Sequence, residues 1–274
     1  MKTIQQIIDQ KSKHERITML TAYDFPTAAF LDEAGIDIVL VGDSLANVVL
    51  GLESTTEVGM KEMLHHTKAV LRAVKKAMVI ADMPFDSYQL DPRAAVGNAR
   101  QFITAGCQAV KLEWFDDFPK VGKALVGDGI AVMGHVGLTP QTAQLLGGMK
   151  VQGKDAASAQ AILKNALAMQ EAGCFAIVLE CIPQEVAAMI TKQLKVPTIG
   201  IGAGPHCDGQ VLVIHDLLGL FSRYQPKFSK KYADLGPQIL EAVKQYKKEV
   251  QTGQFPDDAH SFHMPQDEFK KLSA

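Results

Sequence analysis

Four carboxylates in this sequence follow apolar runs that have the composition of buried strands. They are Asp43, Asp82, Glu113 and Glu180. Nearly continuous aliphatic runs suit parallel strands that are covered on both faces, and the carboxyl ends of such strands meet at one edge of a sheet. An acid at a strand end can also cap the next helix or face water, and structural ion networks also collect acids. That explanation suits one acid better than four.

Crowded carboxylates repel one another, so several lie close together only with a bound cation or with shared protons. This set is rich in oxygen and contains neither a cysteine nor clustered histidines, which favours Mg²⁺ over zinc. A magnesium ion held by two aspartates keeps open positions for substrate oxygens, where it can polarise a carbonyl group and stabilise an enolate. A carboxylate outside the metal shell could then act as a general base.

Three other polar residues accompany the acids. Ser44 follows Asp43 directly, and Lys111 precedes Glu113 by two residues, so these last two side chains lie on the same side of one strand. His135 lies near the end of a fifth apolar run. It either hydrogen-bonds a ligand or has its hydrogen bonds satisfied within the core. The residues alone leave both interpretations open.

A repeated unit positions these residues. Ala34–Ser44 reads AGIDIVLVGDS, in which the glycine suits the left-handed end of a helix and an apolar strand and an acid follow. Ala105–Glu113 and Ala172–Glu180 repeat the unit. The predicted strands are Ile17–Tyr23, Ile36–Gly42, Ala77–Met83, Gln108–Glu113, Ile130–Val136, Ala176–Cys181, Val196–Gly202 and Gln210–Ile214.

Strands that alternate with amphipathic helices predict a parallel sheet with right-handed crossovers. Eight such strands match an α/β fold of the (β/α)8 TIM-barrel type. We therefore expect a single barrel domain over residues 1–274, with its core at about 17–220. A short helix within residues 3–10 precedes the barrel, and a helix at Leu235–Val250 lies within a C-terminal helix and tail at 221–274.

A doubly wound open sheet is the alternative fold. Its dinucleotide-binding signature belongs at the first βα turn, but residues 23–28 (YDFPTA) contain no glycine. The GIGAG sequence at 200–204 comes late and precedes Pro205 and a strand instead of a helix, so it is a poor nucleotide signal. In a barrel, these glycines would permit close backbone approach at the mouth.

Two segments lie outside the repeating pattern. Leu45–Val58 is too apolar for a solvent loop and too irregular for a helix. It either forms a lid over the strand ends or packs against a neighbouring subunit. The tail Thr252–Ala274 shows little periodicity, and we expect it to lie on the surface or on another subunit.

Composition argues against several classes of function. The 274 residues carry a formal net charge of -2, which indicates no attraction to nucleic acid or to a membrane surface. The four cysteines show no CxxC spacing, and we expect them to be reduced packing residues. No apolar stretch has the length of a signal-peptide core or a membrane span, so the expected location is the cytoplasm.

Several motifs carry a resemblance to a known family. They are GDS at 42–44, IADMP at 80–84, KLE at 111–113, GHVGLTPQ at 134–141, LE at 179–180 and IGIGAGPHCDGQVLV at 199–213. In this order they resemble the 3-methyl-2-oxobutanoate hydroxymethyltransferases, also called ketopantoate hydroxymethyltransferases, which are related to the phosphoenolpyruvate mutase-like barrels. The resemblance extends from about Met19 to Gly219.

The resemblance implies a role for each motif residue. Asp43 and Asp82 would bind Mg²⁺ and the substrate, with Glu113 on the metal directly or through water. The keto acid would chelate the metal through its carboxylate and keto oxygens. Ser44 and Lys111 would bind the polar end of the keto acid.

The implied reaction starts at Glu180, which would remove the C3 proton of 3-methyl-2-oxobutanoate. The Mg²⁺-stabilised enolate would attack the one-carbon unit of 5,10-methylenetetrahydrofolate, and hydration would release 2-dehydropantoate and tetrahydrofolate in pantothenate synthesis. His135 would hydrogen-bond the substrate or the folate. Members of the family are commonly homo-oligomers, and a decamer is expected. No residue pattern indicates a pterin pocket, so the folate is implied by the resemblance alone.

Two alternatives stay open. A related Mg²⁺-dependent lyase or mutase of a small 2-oxo acid would use the same two aspartates. Such relatives often carry a catalytic cysteine in a mobile loop, and the sequence shows no equivalent Lys-Cys loop. A non-catalytic barrel that binds a metabolite would not need a separate base at Glu180.

Overall fold

A closed parallel barrel forms the centre of the computed structural model, which describes residues 1–220 and 226–272. Its strands are β1 (Ile17–Thr21), β2 (Ile38–Val41), β3 (Met78–Asp82), β4 (Ala109–Glu113), β5 (Val132–Gly137), β6 (Ala176–Glu180), β7 (Thr198–Ile201) and β8 (Gly209–Leu212). Each strand pairs in parallel with the next along the chain, and β8 closes the barrel against β1. The predicted barrel is confirmed. The parts of the predicted C-terminal segment at 221–225 and 273–274 lie outside the described residues.

Helices surround the barrel and continue beyond it. They are α1 (Ile4–Ser12), α2 (Phe25–Glu33), α3 (Leu45–Val48), α4 (Met60–Ala73), α5 (Pro92–Ala105), α6 (Phe118–Gly127), α7 (Ala156–Glu171), α8 (Gln184–Gln193), α9 (Ile214–Leu218), α10 (Leu235–Gln251) and α11 (Gln266–Leu272). Short 3-10 turns lie at Thr55–Glu57, Phe85–Ser87, Pro140–Thr142 and Asp258–His260. The connection between β7 and β8, residues 202–208, is fully described and contains no helix.

Local signals in the sequence explain where several helices begin and end. The side chains of Asp24 and Asp155 accept backbone N–H groups in the first turns of α2 and α7, as N-cap residues do. Asp91 caps α5 in the same way, and Pro92 occupies the first helical position. Gly106 then ends α5 with a φ of 121°. The structure therefore contains the predicted unit, in which a helix ends at a glycine and a strand follows.

The interior of the barrel changes character along the strands. Alternate residues of each strand point inward, and the inward residues near the amino ends form one apolar cluster with Ile7 of α1. Further along four strands the inward positions become polar. The inward series are Met78-Ile80-Asp82 on β3, Ala109-Lys111-Glu113 on β4, Met133-His135 on β5 and Ala176-Val178-Glu180 on β6. An apolar half of the interior therefore lies beneath a polar half.

The segments outside the repeat are more regular than the sequence suggests. Leu45–Val58 contains α3 and a 3-10 turn. Its apolar residues Leu45 and Ala46 are buried in the apolar cluster between the barrel and the surrounding helices. The tail, for which little periodicity was expected, contains α11, whose acidic first turn and basic last turn complement the helix dipole. The predicted helix at Leu235–Val250 is confirmed as α10. None of the described helices combines the length and the apolar composition needed to cross a bilayer.

Candidate active site

The predicted site residues gather at the carboxyl-terminal rim of the barrel. Asp82, Glu113 and Glu180 are the last residues of β3, β4 and β6, and Asp43 follows β2 in the turn before α3. Most of the polar rim is inaccessible to bulk water. Among the predicted site residues, those with an exposure of 5% or less are Asp43, Asp82, Lys111, Glu113 and His135.

Asp43 and Asp82 are in direct contact. The backbone N–H of Asp43 donates to Asp82 Oδ2 at 3.0 Å, and the Lys111 ammonium lies 3.0 Å from Asp82 Oδ1. Apart from this ion pair, Oδ1 has no aligned hydrogen-bond donor. A Cβ at Gly42 would lie 2.8 Å from Ser44 Oγ and 3.6 Å from Asp82 Oδ2. Ser44 and Asp82 therefore face the same small space, which a residue larger than glycine would fill.

His135 connects Lys111 to Glu180. Its Nδ1 lies 3.3 Å from Lys111 Nζ and 3.6 Å from Glu113 Oε1, and its Nε2 lies 3.2 Å from Glu180 Oε2 without the alignment of a regular hydrogen bond. Because an ammonium group only donates, Nδ1 accepts from Lys111 and the ring proton belongs on Nε2, facing Glu180. Burial and the Lys111 charge lower the pKa of His135, which favours this neutral form.

Negative charge exceeds positive charge in the rim. Burial and the neighbouring Asp82 raise the pKa of Asp43 to about 7, and burial and Asp43 raise the pKa of Glu113 well above its usual value. Burial disfavours the charged form of Lys111, but the carboxylates around it outweigh burial and raise its pKa. One ammonium thus faces more carboxylates than it can neutralise, and such a cluster takes up protons or a cation.

The oxygen donors suit a hard divalent cation. Asp43 and Asp82 are adjacent, and Glu113 is linked to Asp43 through Gln141, which donates to a carboxylate oxygen of each. Within residues 1–220 and 226–272, no three His, Cys, Asp or Glu side chains already form a group that could hold a metal ion. Two carboxylates would leave most of the coordination sphere to water and substrate oxygens, which is how proteins commonly bind Mg²⁺.

Three further residues of the rim were not predicted from the sequence. Tyr23, which follows β1, places its hydroxyl 2.8 Å from Ser44 Oγ. The side-chain amide of Gln141 donates to Asp43 Oδ2 at 2.8 Å, and the Tyr88 hydroxyl donates to the Gln141 amide oxygen at 2.6 Å. Gln141 ends the GHVGLTPQ motif, which could have drawn attention to it. No local pattern points to Tyr88.

The fold of the chain is similar to that of several solved barrel structures. Phosphonopyruvate hydrolase, in a complex with oxalate and Mg²⁺, has a TM-score of 0.63 and 15% identity, with 100% of this chain and 95% of that chain covered. A 2,3-dimethylmalate lyase of the phosphoenolpyruvate mutase/isocitrate lyase superfamily has a TM-score of 0.62 and 17% identity, with 99% and 95% covered. At these identities the similarity shows the fold alone, a closed parallel barrel.

Sequence comparison identifies the family of the chain. Residues 1–258 match the ketopantoate hydroxymethyltransferase family. A 3-methyl-2-oxobutanoate hydroxymethyltransferase of Syntrophobacter fumaroxidans is 56% identical over 272 residues, which are 99% of this chain and 96% of the relative. The protein of that name from Syntrophomonas wolfei subsp. wolfei is 52% identical over 271 residues, 98% of each chain. The chain therefore belongs to the ketopantoate hydroxymethyltransferase family.

Proposed function

We propose that the protein transfers a hydroxymethyl group from 5,10-methylenetetrahydrofolate to 3-methyl-2-oxobutanoate in the cytoplasm, giving 2-dehydropantoate and tetrahydrofolate for pantothenate synthesis. The observation that carries the proposal is the continuous chain of contacts from the buried Asp43 to the partly exposed Glu180. It joins the two carboxylates that we propose as cation ligands to the proposed base. Membership of the family and the names of its relatives support the choice of keto acid and of reaction.

Asp43 and Asp82 fit Mg²⁺ as protein ligands, with Glu113 bound directly or through water. The fit rests on the excess of buried carboxylate charge and on Asp82 Oδ1, which has no aligned hydrogen-bond donor. When bound, the ion would polarise the keto group and stabilise negative charge on its oxygen. A solved barrel of the same fold in a complex with oxalate and Mg²⁺ supports the choice of metal.

Lys111 and Ser44 would bind the polar end of the keto acid. The pKa of Lys111 is raised by the carboxylates around it, so its ammonium stays charged and can attract the substrate carboxylate. Ser44 offers a hydroxyl that is already oriented by the Tyr23 hydroxyl at 2.8 Å. Together with Asp43 and Asp82, they would fix the substrate before the chemical step.

Glu180 would remove the proton from C3 of the keto acid. Its side chain is 13% exposed and lies 3.2 Å from the neutral imidazole of His135, so it is reachable from the barrel mouth while its orientation is restricted. The electron pair that remains would form a C–C bond to the methylene carbon of 5,10-methylenetetrahydrofolate, while one C–N bond of that carbon breaks and its nitrogen takes the electron pair and a proton. Water would then replace the second folate nitrogen on the same carbon and supply the hydroxyl group. That nitrogen would also take a proton, which releases 2-dehydropantoate and tetrahydrofolate.

Exchange of the C3 proton tests the first half of the reaction. The protein, Mg²⁺ and 3-methyl-2-oxobutanoate are incubated in D₂O, and the C3 proton is followed by NMR. We expect exchange that requires both the protein and Mg²⁺. A folded protein that binds the keto acid but leaves the C3 proton in place would overturn the enolisation step.

Dependence on folate tests the second half. We expect 2-dehydropantoate to form only when 5,10-methylenetetrahydrofolate is present. Cleavage or rearrangement of a 2-oxo acid without folate would instead favour the lyase or mutase alternative.

We further propose that the protein is a homo-oligomer, with a decamer expected from the family resemblance. Helix α10 supports self-association because none of its residues is buried in the single chain. Its large exposed apolar side chains are Ile239, Leu240, Val243, Tyr246 and Val250. Exposed apolar patches mark interaction surfaces. Sedimentation velocity measures the mass of the assembly, and a monomer at micromolar concentration would contradict the proposal.

A further inference from the structure

Gln141 touches two of the rim carboxylates at once. Its backbone N–H donates to Glu113 Oε2 at 3.0 Å. Its side-chain amide donates to Asp43 Oδ2 at 2.8 Å and to the backbone oxygen of Met83 at 3.0 Å. The Tyr88 hydroxyl donates to its amide oxygen at 2.6 Å. Every polar group of the Gln141 side chain is therefore satisfied.

We propose that Gln141 is a positioning residue that orients the Asp43 carboxylate for a divalent cation, and that Tyr88 fixes the orientation of the Gln141 amide. The inference rests on the proposed magnesium site. It extends that site to Gln141, which bonds the proposed ligand Asp43, and to Tyr88, which bonds Gln141.

The amide of Gln141 has one orientation that satisfies its neighbours. Its NH₂ group faces two acceptors, the carboxylate of Asp43 and the oxygen of Met83, while its oxygen faces the hydroxyl of Tyr88. A flipped amide would direct its oxygen at the Asp43 carboxylate. Gln141 is 5% exposed and Tyr88 is 1% exposed, so bulk water cannot replace a lost hydrogen-bond partner.

The bond to Asp43 Oδ2 restricts the rotation of a proposed metal ligand and leaves its other oxygen to face a cation. Hydrogen-bond partners of this kind orient metal ligands, and their loss weakens metal binding by about 10-fold to 100-fold. The backbone bond from Gln141 to Glu113 does not depend on the side chain. A substitution at Gln141 therefore changes the support of Asp43 and spares that of Glu113.

Binding of Mn²⁺ to the protein without substrate tests the inference, since electron paramagnetic resonance counts the free ion directly. The variant Gln141→Met keeps the length of the side chain and removes its donors. We expect it to bind Mn²⁺ about 10-fold to 100-fold more weakly than the parent. The control is Thr198→Val, which removes a buried hydroxyl bonded to Asp208 at the opposite end of the barrel. It should lose stability but keep the parent affinity.

The variant Tyr88→Phe tests the second part of the inference. It keeps the aromatic contact with Phe115 and removes the hydroxyl. We expect Mn²⁺ binding to weaken by about 3-fold to 10-fold, the range that one neutral hydrogen bond supplies. Introduced into Gln141→Met, the same substitution should cause no further loss, because Tyr88 acts through Gln141.

Each outcome bears on a separate part of the inference. A folded Gln141→Met protein with the parent affinity would overturn the role of Gln141, and equal losses from Tyr88→Phe in both backgrounds would overturn the role of Tyr88. If Gln141→Met does not fold, parent affinity in Tyr88→Phe overturns the inference. A parent protein that binds no Mn²⁺ would instead overturn the proposed magnesium site, and the inference with it.

Discussion

The two ends of the barrel both carry buried or half-buried aspartates, and their surroundings are opposite. At the amino end, Asp37 precedes β2 and accepts the backbone N–H and the hydroxyl of Thr18 on β1, at 2.8 and 2.9 Å. Lys2 forms an ion pair with the same carboxylate. Burial alone would raise the pKa of Asp37, but Lys2 and Thr18 outweigh it, so this pKa lies below its usual value.

Asp208 repeats this arrangement before β8. Its Oδ2 accepts the backbone N–H and the hydroxyl of Thr198 on β7, at 2.8 and 3.1 Å, and lies 2.7 Å from Lys11 Nζ. The Thr198 hydroxyl in turn accepts the backbone N–H of Asp208. Both amino-end aspartates therefore hold neighbouring strands in register and bind one lysine each, from residues next to or within α1.

The comparison separates structural carboxylates from those that we propose to be functional. An amino-end acid has several donors and a cation of its own, whereas Asp43 and Glu113 at the rim share one ammonium and have raised pKa values. Burial is common to both ends. The number of donors per carboxylate is what differs, and a deficit of donors leaves a site that a cation can occupy.

The largest expected effect on activity is that of Glu180→Gln, a substitution at the rim. The variant keeps the size of the side chain and cannot accept a proton, so C3 exchange should fall by about 10²-fold to 10⁴-fold. NMR in D₂O measures the rate, and keto acid binding should persist. The exposed acid Glu171 supplies the control, since Glu171→Gln should exchange at the parent rate. Normal exchange in Glu180→Gln would mean that another group is the base.

The second prediction concerns the pH dependence of stability in the metal-free protein. The folded pKa of Asp43, about 7, is higher than its usual 3.8, so the fold prefers the neutral acid. Its contribution to stability is present at low pH and is lost as pH rises toward about 7. Mg²⁺ should reverse that loss, stabilising the protein by about 2.7 kcal/mol at 100 times its Kd.

Thermal unfolding with EDTA and with Mg²⁺, measured across this range of pH, checks the second prediction. The stabilisation by Mg²⁺ should grow with pH and disappear in Asp43→Asn. The control Asp37→Asn changes an amino-end acid and should leave the response to Mg²⁺ intact. A response that is the same at low and high pH would argue against cation binding by ionised Asp43.

The third prediction concerns Asp208 at the amino end of the barrel. Asp208→Ala leaves the backbone N–H of the buried Thr198 without an acceptor, and an unsatisfied buried group costs about 1–3 kcal/mol. Lys11 loses its ion pair with Asp208 and keeps its hydrogen bond to the backbone oxygen of Thr191. The free energy of unfolding should fall by that amount, while the rate of C3 exchange at a temperature where the variant is folded should stay at the parent value. Urea unfolding gives the first quantity. Lost exchange in a folded variant would break the distinction between the ends.

The sequence predicted the barrel and most of the rim because these features leave local traces. Asp82, Glu113 and Glu180 each end an apolar strand, and the strand period places all three side chains on the inward face. Parallel pairing then brings them together without further information. The short helix α9 was missed because five residues contain too little periodicity for detection.

The remainder of the rim depends on contacts between distant parts of the chain. Gln141 is 98 residues from Asp43 and 53 residues from Tyr88 in the sequence. No local pattern records which buried side chains will meet across such separations. For the same reason, the neutral form of His135 emerges only from its position between Lys111 and Glu180.

The smallest expected effect tests a rim contact of this kind. Tyr23 is 2% exposed, and its hydroxyl lies 2.8 Å from Ser44 Oγ, which we propose as a substrate contact. Tyr23→Phe keeps the ring against His215 and removes one neutral hydrogen bond, so kcat/KM should fall by about 3-fold to 10-fold. The loss should appear mainly in KM, because Glu180 is not touched. A loss confined to kcat would place Tyr23 nearer the proton transfer than its contact with Ser44 implies, and unchanged kinetics would show that Ser44 needs no such support.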